Sequence, residues 1–450
     1  MRCEAIVLAA GLGTRMNSAM PKVLQPLGGW PLLRWSVEAC RQATGEEPHV
    51  VIPPEADEIR QAVGNEVHFV VQAEPLGTGH AALQAAGALN GKSELLLVTS
   101  ADMPLLTSDT LRGLIEVQQA NVGPVTLLTT ESDPPRGFGR VERDPRGKIV
   151  GIIEEAQASP VQLGLKELNV GAYCFRAAWL WEQLPKVQKS AKGEYYLTDL
   201  VGLATASGQP VAVLKLADPN EAIGINTLEH LAEAEAAIRR RINRELMAKG
   251  VRFLDPETTY VEAGVRVASD TVLLPNTHLQ GETVIGSGCQ IGPNSILRNA
   301  QVGDRCRIEA SVVEGAVLEQ DVEVGPFARL RTGTRLGAGV HVGNFGEIKS
   351  STLGPGVKVG HFSYLGDATI GKGVNIGAGT ITCNFDGKQK HATTIGEGAF
   401  IGSDTMLVAP VNVGPGARTG AGAVVTKDVP ANTLAAGVPA RVIRKLNPHD

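Results

Sequence analysis

Residues 395–414 read IGEGAFIGSDTMLVAPVNVG, with Ile395, Ile401, Leu407 and Val413 six apart and three of the four followed at once by glycine. The same step links Val324, Leu330, Leu336, Val342 and Ile348. A period of six is neither helical nor simple alternation. It predicts a solenoid: one aliphatic residue per short strand points inward, the glycine beside it lets the chain turn, and each coil buries its stack only against its neighbours. A flexible glycine-rich linker needs no period and no aliphatic repeat. The register breaks between Ile376 and Ile395, which are 19 apart, where TCNFDGKQKHATT (382–394) intervenes. This stretch reads as too polar for core and as a loop ejected from the coil, and loops on rigid scaffolds often carry function.

Upstream, residues 226–250 are rich in Ala, Glu, Arg and Leu, with Leu231, Ile238, Ile242 and Leu246 on roughly one helical face. Asn226 serves as an N-cap with Glu229 three residues on, and Lys249-Gly250 ends the helix. From the start to residue 225, β-branched runs (AIVLAA, HVVIP, VHFVVQ, ELLLVTS, VTLLTT) alternate with helical patterns. This alternation predicts an α/β domain with a mostly parallel sheet. The expected division is therefore 1–225, a linking helix at 226–250, and 251–450.

The 450 residues, 43% hydrophobic and 20% charged, suffice for more than one core. A net charge of −5 without a basic stripe argues against nucleic acid as a partner. Six cysteines without a C-x-x-C pair suit a reducing compartment, so the protein is read as cytoplasmic. No run of about 18 apolar residues occurs, so no membrane span is expected. The opening MRCEAIVLAAGLG is read as a buried strand entering a loop rather than a leader, because no cleavage site is set apart from the apolar run.

That loop begins LAAGLGTRM and is followed by PKVL. A strand ending at a glycine loop places backbone N–H groups where phosphate binds. It lacks the third glycine of a dinucleotide fingerprint, for which Met16 would have to be glycine, and the G-K-[ST] of a Walker loop. Gly11 and Gly13 remain for close approach, with Arg15 and Lys22 as cations for a polyanionic substrate. From the loop alone, a surface arginine and lysine on an ordinary turn is an equally open reading.

LAAGLGTRM with PKVL resembles the signature of sugar-1-phosphate nucleotidyltransferases. Matches follow in order at QAEPLGTGHA (72–81), ADMPL (101–105), GFGR (137–140), KELNVG around Asn169 and GEYYLTD (193–199). Together with the hexapeptide half, nearly the whole chain resembles the bifunctional N-acetylglucosamine-1-phosphate uridylyltransferase and glucosamine-1-phosphate N-acetyltransferase family. The resemblance implies a Rossmann-like nucleotidyltransferase domain followed by a left-handed parallel β-helix. It also implies a homotrimer with the acetyl site between subunits, small-molecule substrates, and a product that serves peptidoglycan and lipopolysaccharide synthesis.

For the first half the resemblance implies attack of a sugar phosphate on the α-phosphorus of UTP. Arg15 and Lys22 would act in catalysis, and Leu8, Ala9, Ala10, Gly11 and Gly13 would lie along the nucleotide. Gln72, Gly77 and Thr78 match uracil contacts, and Gly139, Glu154 and Asn169 match sugar contacts. Asp102, at the carboxyl end of a strand, matches a magnesium ligand, as does Asn226 in IGIN. That role and the N-cap coexist only if different atoms serve them. The family usually carries Tyr-Gly-Asp where this chain has Ser100, Ala101 and Asp102.

For the second half, an amine protonated in water needs a proton acceptor before it attacks a thioester, a task for histidine. His361 in KVGHFSYLGD matches the family's catalytic histidine. Arg331 and Lys349 match phosphate contacts, and Tyr364 and Asn375 match sugar contacts. Ala378, Asn384, Phe385, Ser403 and Ala421 match acetyl-CoA or adjoining positions, with Phe385 where many relatives carry tyrosine. The tail TLAAGVPARVIRK departs from some relatives around Arg441 and Arg444. Two rivals stay open: another sugar-1-phosphate nucleotidyltransferase with a structural or regulatory hexapeptide tail, and a non-catalytic assembly subunit. Arg331, Lys349, His361 and Asn375 together weigh against the first, and Arg15, Lys22 and Asp102 against the second.

Overall fold

A computed structural model describes the chain except residues 12, 17, 65, 133–134, 136 and 448–450. It divides into two compact units, Met1–Ile238 and Arg239–Asp450, the division falling inside the helix Leu228–Ala248.

In the first unit β1 (Cys3–Leu8), β2 (His49–Ile52), β3 (His68–Val71), β4 (Leu95–Ser100) and β5 (Val125–Glu131) are the five apolar runs of the sequence. The sheet continues with β6 (Gly139–Arg143), β7 (Ile149–Ile153), β8 (Glu167–Arg176) and β9 (Val211–Lys215), in the main order β9-β5-β8-β4-β1-β2-β3. Strand β8 runs antiparallel to both β4 and β5, and it also carries the β6–β7 hairpin. Strand β1 is buried along nearly its whole length, with alternate residues entering different cores: Ala5 and Val7 in one, Ile6 in the other. Leu33, Val37 and Cys40 of α1 (Leu32–Thr44) and Leu111 and Leu114 of α2 (Ser108–Ala120) fill the first core; Leu200 and Val201 fill the second. Full burial of each such aliphatic side chain contributes about 1.5–3 kcal/mol relative to exposure. The chain moves from β1 outward to β2 and β3, then returns to β4 on the other side of β1. The loops leaving β1 and β4 therefore diverge, opening a crevice at their carboxyl ends.

In the second unit, strands of two or three residues as far as Val424–Val425 form three parallel sheets, each pairing with the strand three further along, until the tail. There Arg418–Thr419 pairs with Thr433–Gly437, and that strand is joined antiparallel by Ala440–Lys445. Val324 aligns with Val342 in one sheet, Leu330 with Ile348 in the next and Leu336 with Leu353 in the third. Three hexads thus make one coil, which explains the period: successive aliphatics enter a single core from three walls. All five of Val324, Leu330, Leu336, Val342 and Ile348 are buried there. The arrangement is consistent with a left-handed parallel β-helix of hexapeptide repeats. Threonine and serine at the corners are buried too, with hydroxyls spent on coil carbonyls: Thr334 Oγ1 donates to Ile348 O at 3.1 Å and Thr405 Oγ1 to Gly402 O at 2.7 Å.

The ejected loop is shorter than its polarity suggests. Ile381–Cys383 and Thr393–Ile395 remain strands of the coil, leaving 384–392 outside. Thr382 and Thr393 are buried despite their hydroxyls, and that of Thr382 is bonded to both N–H and C=O of Gly366 at 2.7 and 3.1 Å.

Candidate active sites

Gly13 has φ +61°, and a Cβ there would come within 2.5 Å of Lys22 Cβ. Glycine thus lets the loop fold back on Lys22, which opens a short 3-10 turn after Pro21. The Lys22 ammonium donates to Asp102 Oδ2 at 2.8 Å and to Asn226 Oδ1 at 3.3 Å, while Arg15 Nη2 donates to the same amide oxygen at 2.9 Å. Ile225 N donates to Asp102 O at 2.9 Å, tying the third segment to the second. Burial pushes the Asp102 carboxyl up, but the Lys22 charge and hydrogen bond outweigh it and hold the group below the usual range.

Asn226 is not the cap of its helix. Thr227 Oγ1 accepts from His230 N at 3.2 Å, as an N-cap does, and this frees the Asn226 amide for the two cations. The distal end follows the expected pattern, with Gly250 at φ +90°.

Gln72 is buried, and its Nε2 lies 3.2 Å from Gly77 O and 3.0 Å from His80 Nδ1. Gly77 presses on the 193–199 segment so closely that a Cβ would lie 2.6 Å from Tyr195 O, and Thr78 Oγ1 accepts from Leu197 N at 3.0 Å. Leu8, Ala10, Gly11, Gly13, Arg15, Lys22, Gln72, Gly77, Thr78, Ser100, Asp102 and Asn226 all line one cavity of about 550 Å³. Ala9 and Ala101 do not; both are buried, donating N–H to Val51 O and Leu8 O at 2.8 and 3.0 Å. Glu194 and Tyr196 also line the cavity, although their motif carried no individual roles in the sequence.

Gly139, Glu154 and Asn169 form a second group outside that lining. Gly139 and Asn169 are partners across β6 and β8, and Asn169 Nδ2 donates to Tyr173 Oη at 2.7 Å. Glu154 accepts from Thr198 Oγ1 at 2.9 Å; burial pushes its carboxyl up, with Asp199 and Glu194 adding to the shift. Glu194 thereby joins this group to the cavity. Arg140, the last residue of GFGR, is almost wholly buried; its Nη atoms donate to Phe138 O and to Glu155 Oε2, the latter at 3.1–3.2 Å, and its Nε has no partner among the described residues.

In the second unit His361 is exposed at a corner of the coil. Its Nδ1 faces Asn344 Oδ1, an oxygen that only accepts, so the neutral tautomer that suits this contact has the hydrogen on Nδ1 and the lone pair on Nε2. Gly379 N donates to His361 O, Asp404 N to Ala378 O and Gly422 N to Ser403 O, at 3.1, 2.7 and 2.8 Å. His361, Ala378, Ser403 and Ala421 therefore climb one corner, coil by coil. The sheet after this corner carries Tyr364 and Lys349, Arg331 directly follows its strand Arg329–Leu330, and Arg331 Nη1 lies 3.0 Å from Glu347 Oε1. A Cβ on Gly366 would lie 2.5 Å from Tyr364 Oη and 2.6 Å from Asn384 Nδ2, so glycine makes room for both. Asn375 lies on the sheet before the corner, between Lys358 and Phe400, and Phe385 is 61% exposed.

The ejected loop adds a cation that its sequence did not single out. Lys390 stands against Lys349 and, ahead of burial and Arg331, drives that ammonium below the ordinary lysine range, with Asp367 opposing. All six cysteines are free thiols. Among the described residues no three His, Cys, Asp or Glu side chains gather as a metal cage, and no helix is long and apolar enough to cross a membrane.

Comparison with known proteins agrees with both halves. The MobA-like NTP transferase domain family matches residues 5–244, and the bacterial transferase hexapeptide (six repeats) matches 282–313 and 392–427. The bifunctional protein GlmU of Pelobacter propionicus is 44% identical over 435 residues, covering 96% of this chain and 95% of that protein. Those of Heliobacterium modesticaldum and Carboxydothermus hydrogenoformans are 45% and 44% identical, covering 96% of this chain and 94% and 97% of theirs. The chain belongs to the GlmU family of bifunctional enzymes, a uridylyltransferase joined to a glucosamine-1-phosphate acetyltransferase.

Proposed function

We propose that residues 251–450 acetylate glucosamine 1-phosphate with acetyl-CoA, that residues 1–225 pass UMP from UTP to the product, and that the helix of 226–250 links them. The observation that carries the reading is the convergence of Arg15 and Lys22 with Asp102 and Asn226 at the crevice between β1 and β4.

In UMP transfer the phosphate oxygen of N-acetylglucosamine 1-phosphate attacks the α-phosphorus of UTP and the bond to pyrophosphate breaks. Arg15 and Lys22 stabilise the charge gathering on the phosphoryl oxygens. The backbone from Leu8 to Gly13 and Gln72, Gly77 and Thr78 hold the nucleotide; Gly139, Glu154 and Asn169 hold the sugar. Asp102 Oδ2 and Asn226 Oδ1 already flank one cation, the Lys22 ammonium, and such an all-oxygen pair fits a hard divalent ion, magnesium in this reading. Bound there, it would share phosphate oxygens and offset their charge.

In acetyl transfer His361 Nε2 takes a proton from the amine, the nitrogen attacks the thioester carbon, and the C–S bond breaks to release CoA. Arg331, Lys349 and Lys390 meet the substrate phosphate, while Tyr364 and Asn375 meet the sugar. Ala378, Asn384, Phe385, Ser403 and Ala421 border acetyl-CoA. Tyr364 and Asn375 lie on two different sheets, after and before the His361 corner, and a second copy facing the first would bring both kinds of group onto one ligand. This supports a homotrimer with shared sites. Six free thiols suit the cytoplasm.

Incubation of the full chain with glucosamine 1-phosphate, acetyl-CoA, UTP and magnesium is expected to yield UDP-N-acetylglucosamine by mass analysis. Accumulation of N-acetylglucosamine 1-phosphate without nucleotide product would remove the assignment of UMP transfer to residues 1–225, and absence of any acetylated sugar the assignment of acetylation to residues 251–450.

A further inference from the structure

Residues 384–392 leave the coil without a core of their own, and ordering such a loop costs backbone entropy unless local bonds offset it. Asp386 supplies most of them. Its Oδ1 accepts from Lys388 N and Gln389 N, both at 2.7 Å, and its Oδ2 lies 2.7 Å from His391 Nε2. Its own N–H donates to Gln389 O at 3.1 Å, and a bridge joins Phe385 to Lys390. At the foot of the loop His391 N donates to Asn384 O at 2.8 Å, and Asn384 Nδ2 donates to Asp367 Oδ2 at 2.6 Å. Asp367 N in turn donates to Lys349 O at 3.1 Å. A continuous chain of hydrogen bonds thus runs from the strand that bears Lys349 to the tip of the loop.

Lys390, paired across the loop with Phe385, stands against Lys349 with Arg331 nearby, and like charges so placed repel; Asp367 and Glu347, the latter 3.0 Å from Arg331, offset only part of this. A loop tied into this arrangement makes sense when an anion completes it, and a sugar phosphate is the anion of the acetyl-transfer reaction. The single acid in the loop is turned onto His391 and the loop backbone, so its charge is spent inside the loop.

We propose that Asp386 and His391 are positioning residues for acetyl transfer, knotting the loop so that Lys390 joins Lys349 and Arg331 on the phosphate of glucosamine 1-phosphate. This rests on the reading of Arg331 and Lys349 as phosphate contacts. Neither Asp386 nor His391 touches substrate; both act through Lys390.

The test uses the full chain and the variants Asp386→Asn, His391→Gln, Lys390→Ala and the double variant Asp386→Asn/Lys390→Ala. CoA release is measured against glucosamine 1-phosphate and against acetyl-CoA, with pyrophosphate release as the check on folding. Asp386→Asn is expected to raise KM for glucosamine 1-phosphate by about 10-fold or more, the scale of a charge-assisted contact, with kcat and KM for acetyl-CoA little changed. His391→Gln, which removes a single bond of the knot, moves the same constant by less. In the Lys390→Ala background Asp386→Asn adds nothing, because the residue acts only through the missing lysine. A KM rise for Lys390→Ala without one for Asp386→Asn, or independent and additive effects, overturns the positioning role and leaves the phosphate reading intact. An unchanged KM in Lys390→Ala overturns the phosphate reading and the inference with it.

Discussion

The Lys22 ammonium lies 2.8 Å from the Asp102 carboxylate, and the two side chains come from separate loops at the carboxyl ends of adjacent strands. Lys22 is nearly covered, so removal of either partner leaves a charge without its counterpart in a poorly solvated place. Lys22→Ala and Asp102→Ala are each expected to cut pyrophosphate release by about 10²–10³-fold, the scale of losing one group that stabilises developing charge. CoA release is expected to persist in both. A parallel fall in CoA release, in a variant that unfolds like the parent, would show that the two activities are not separate.

His361 gives the complementary case. His361→Ala removes the lone pair that Nε2 presents while Nδ1 faces Asn344. CoA release should drop by about 10²–10⁴-fold, the range for a general base, with pyrophosphate release retained. Normal CoA release by the variant would assign proton removal elsewhere.

Two glycines of one loop separate function from folding. Nothing lies within 4 Å of where a Cβ would stand on Gly11, whereas at Gly13 it would meet Lys22 Cβ at 2.5 Å on a backbone with φ +61°. Gly11→Ala should therefore keep the unfolding midpoint and raise KM for UTP by crowding the cavity. Gly13→Ala should cost about 1–3 kcal/mol of backbone strain and lower kcat by displacing Lys22. Thermal unfolding combined with steady-state kinetics distinguishes the two, and the reverse pattern would contradict the geometry.

The two shifted carboxylates predict opposite responses to pH. Asp102 is depressed, so the stability it contributes is present above the ordinary carboxylate pKa and lost as pH falls through its lower folded value. Glu154 is raised by burial, so between the ordinary value and its folded value the native state holds the extra proton and stability falls as pH rises. Glu154→Gln should therefore be more stable than the parent at neutral pH, and the gap should close toward about pH 4, the ordinary glutamate range. A midpoint difference independent of pH would mean the Glu154 carboxyl is not raised.

Much of this fold was legible because it is local. Six-residue spacing is a property of one coil and its neighbour, so Val324, Leu330 and Leu336 announce three walls before any contact is known. The five apolar runs of the sheet announce themselves in the same way. The antiparallel strand Glu167–Arg176 did not, because direction is set by pairing with β4 and β5 and leaves no trace in composition. The loop is shorter than its composition suggests because Thr382 and Thr393 are buried: the Thr382 hydroxyl is bonded to Gly366 of the neighbouring coil, and Thr393 holds its place in the strand through its backbone pairing with Ala368 and Val411.

The linear chain alone determined the kinds of chemistry available: glycines before cations, an acid after a strand, a histidine on a repeating scaffold. Only the tertiary structure decided which groups meet. It gave the cap to Thr227 and the Asn226 oxygen to Arg15 and Lys22, and it brought Lys390 beside Lys349. Capping and hydrogen bonding compete for the same few atoms, and competition between residues some 200 positions apart is settled by distance in space, which spacing along the chain does not encode.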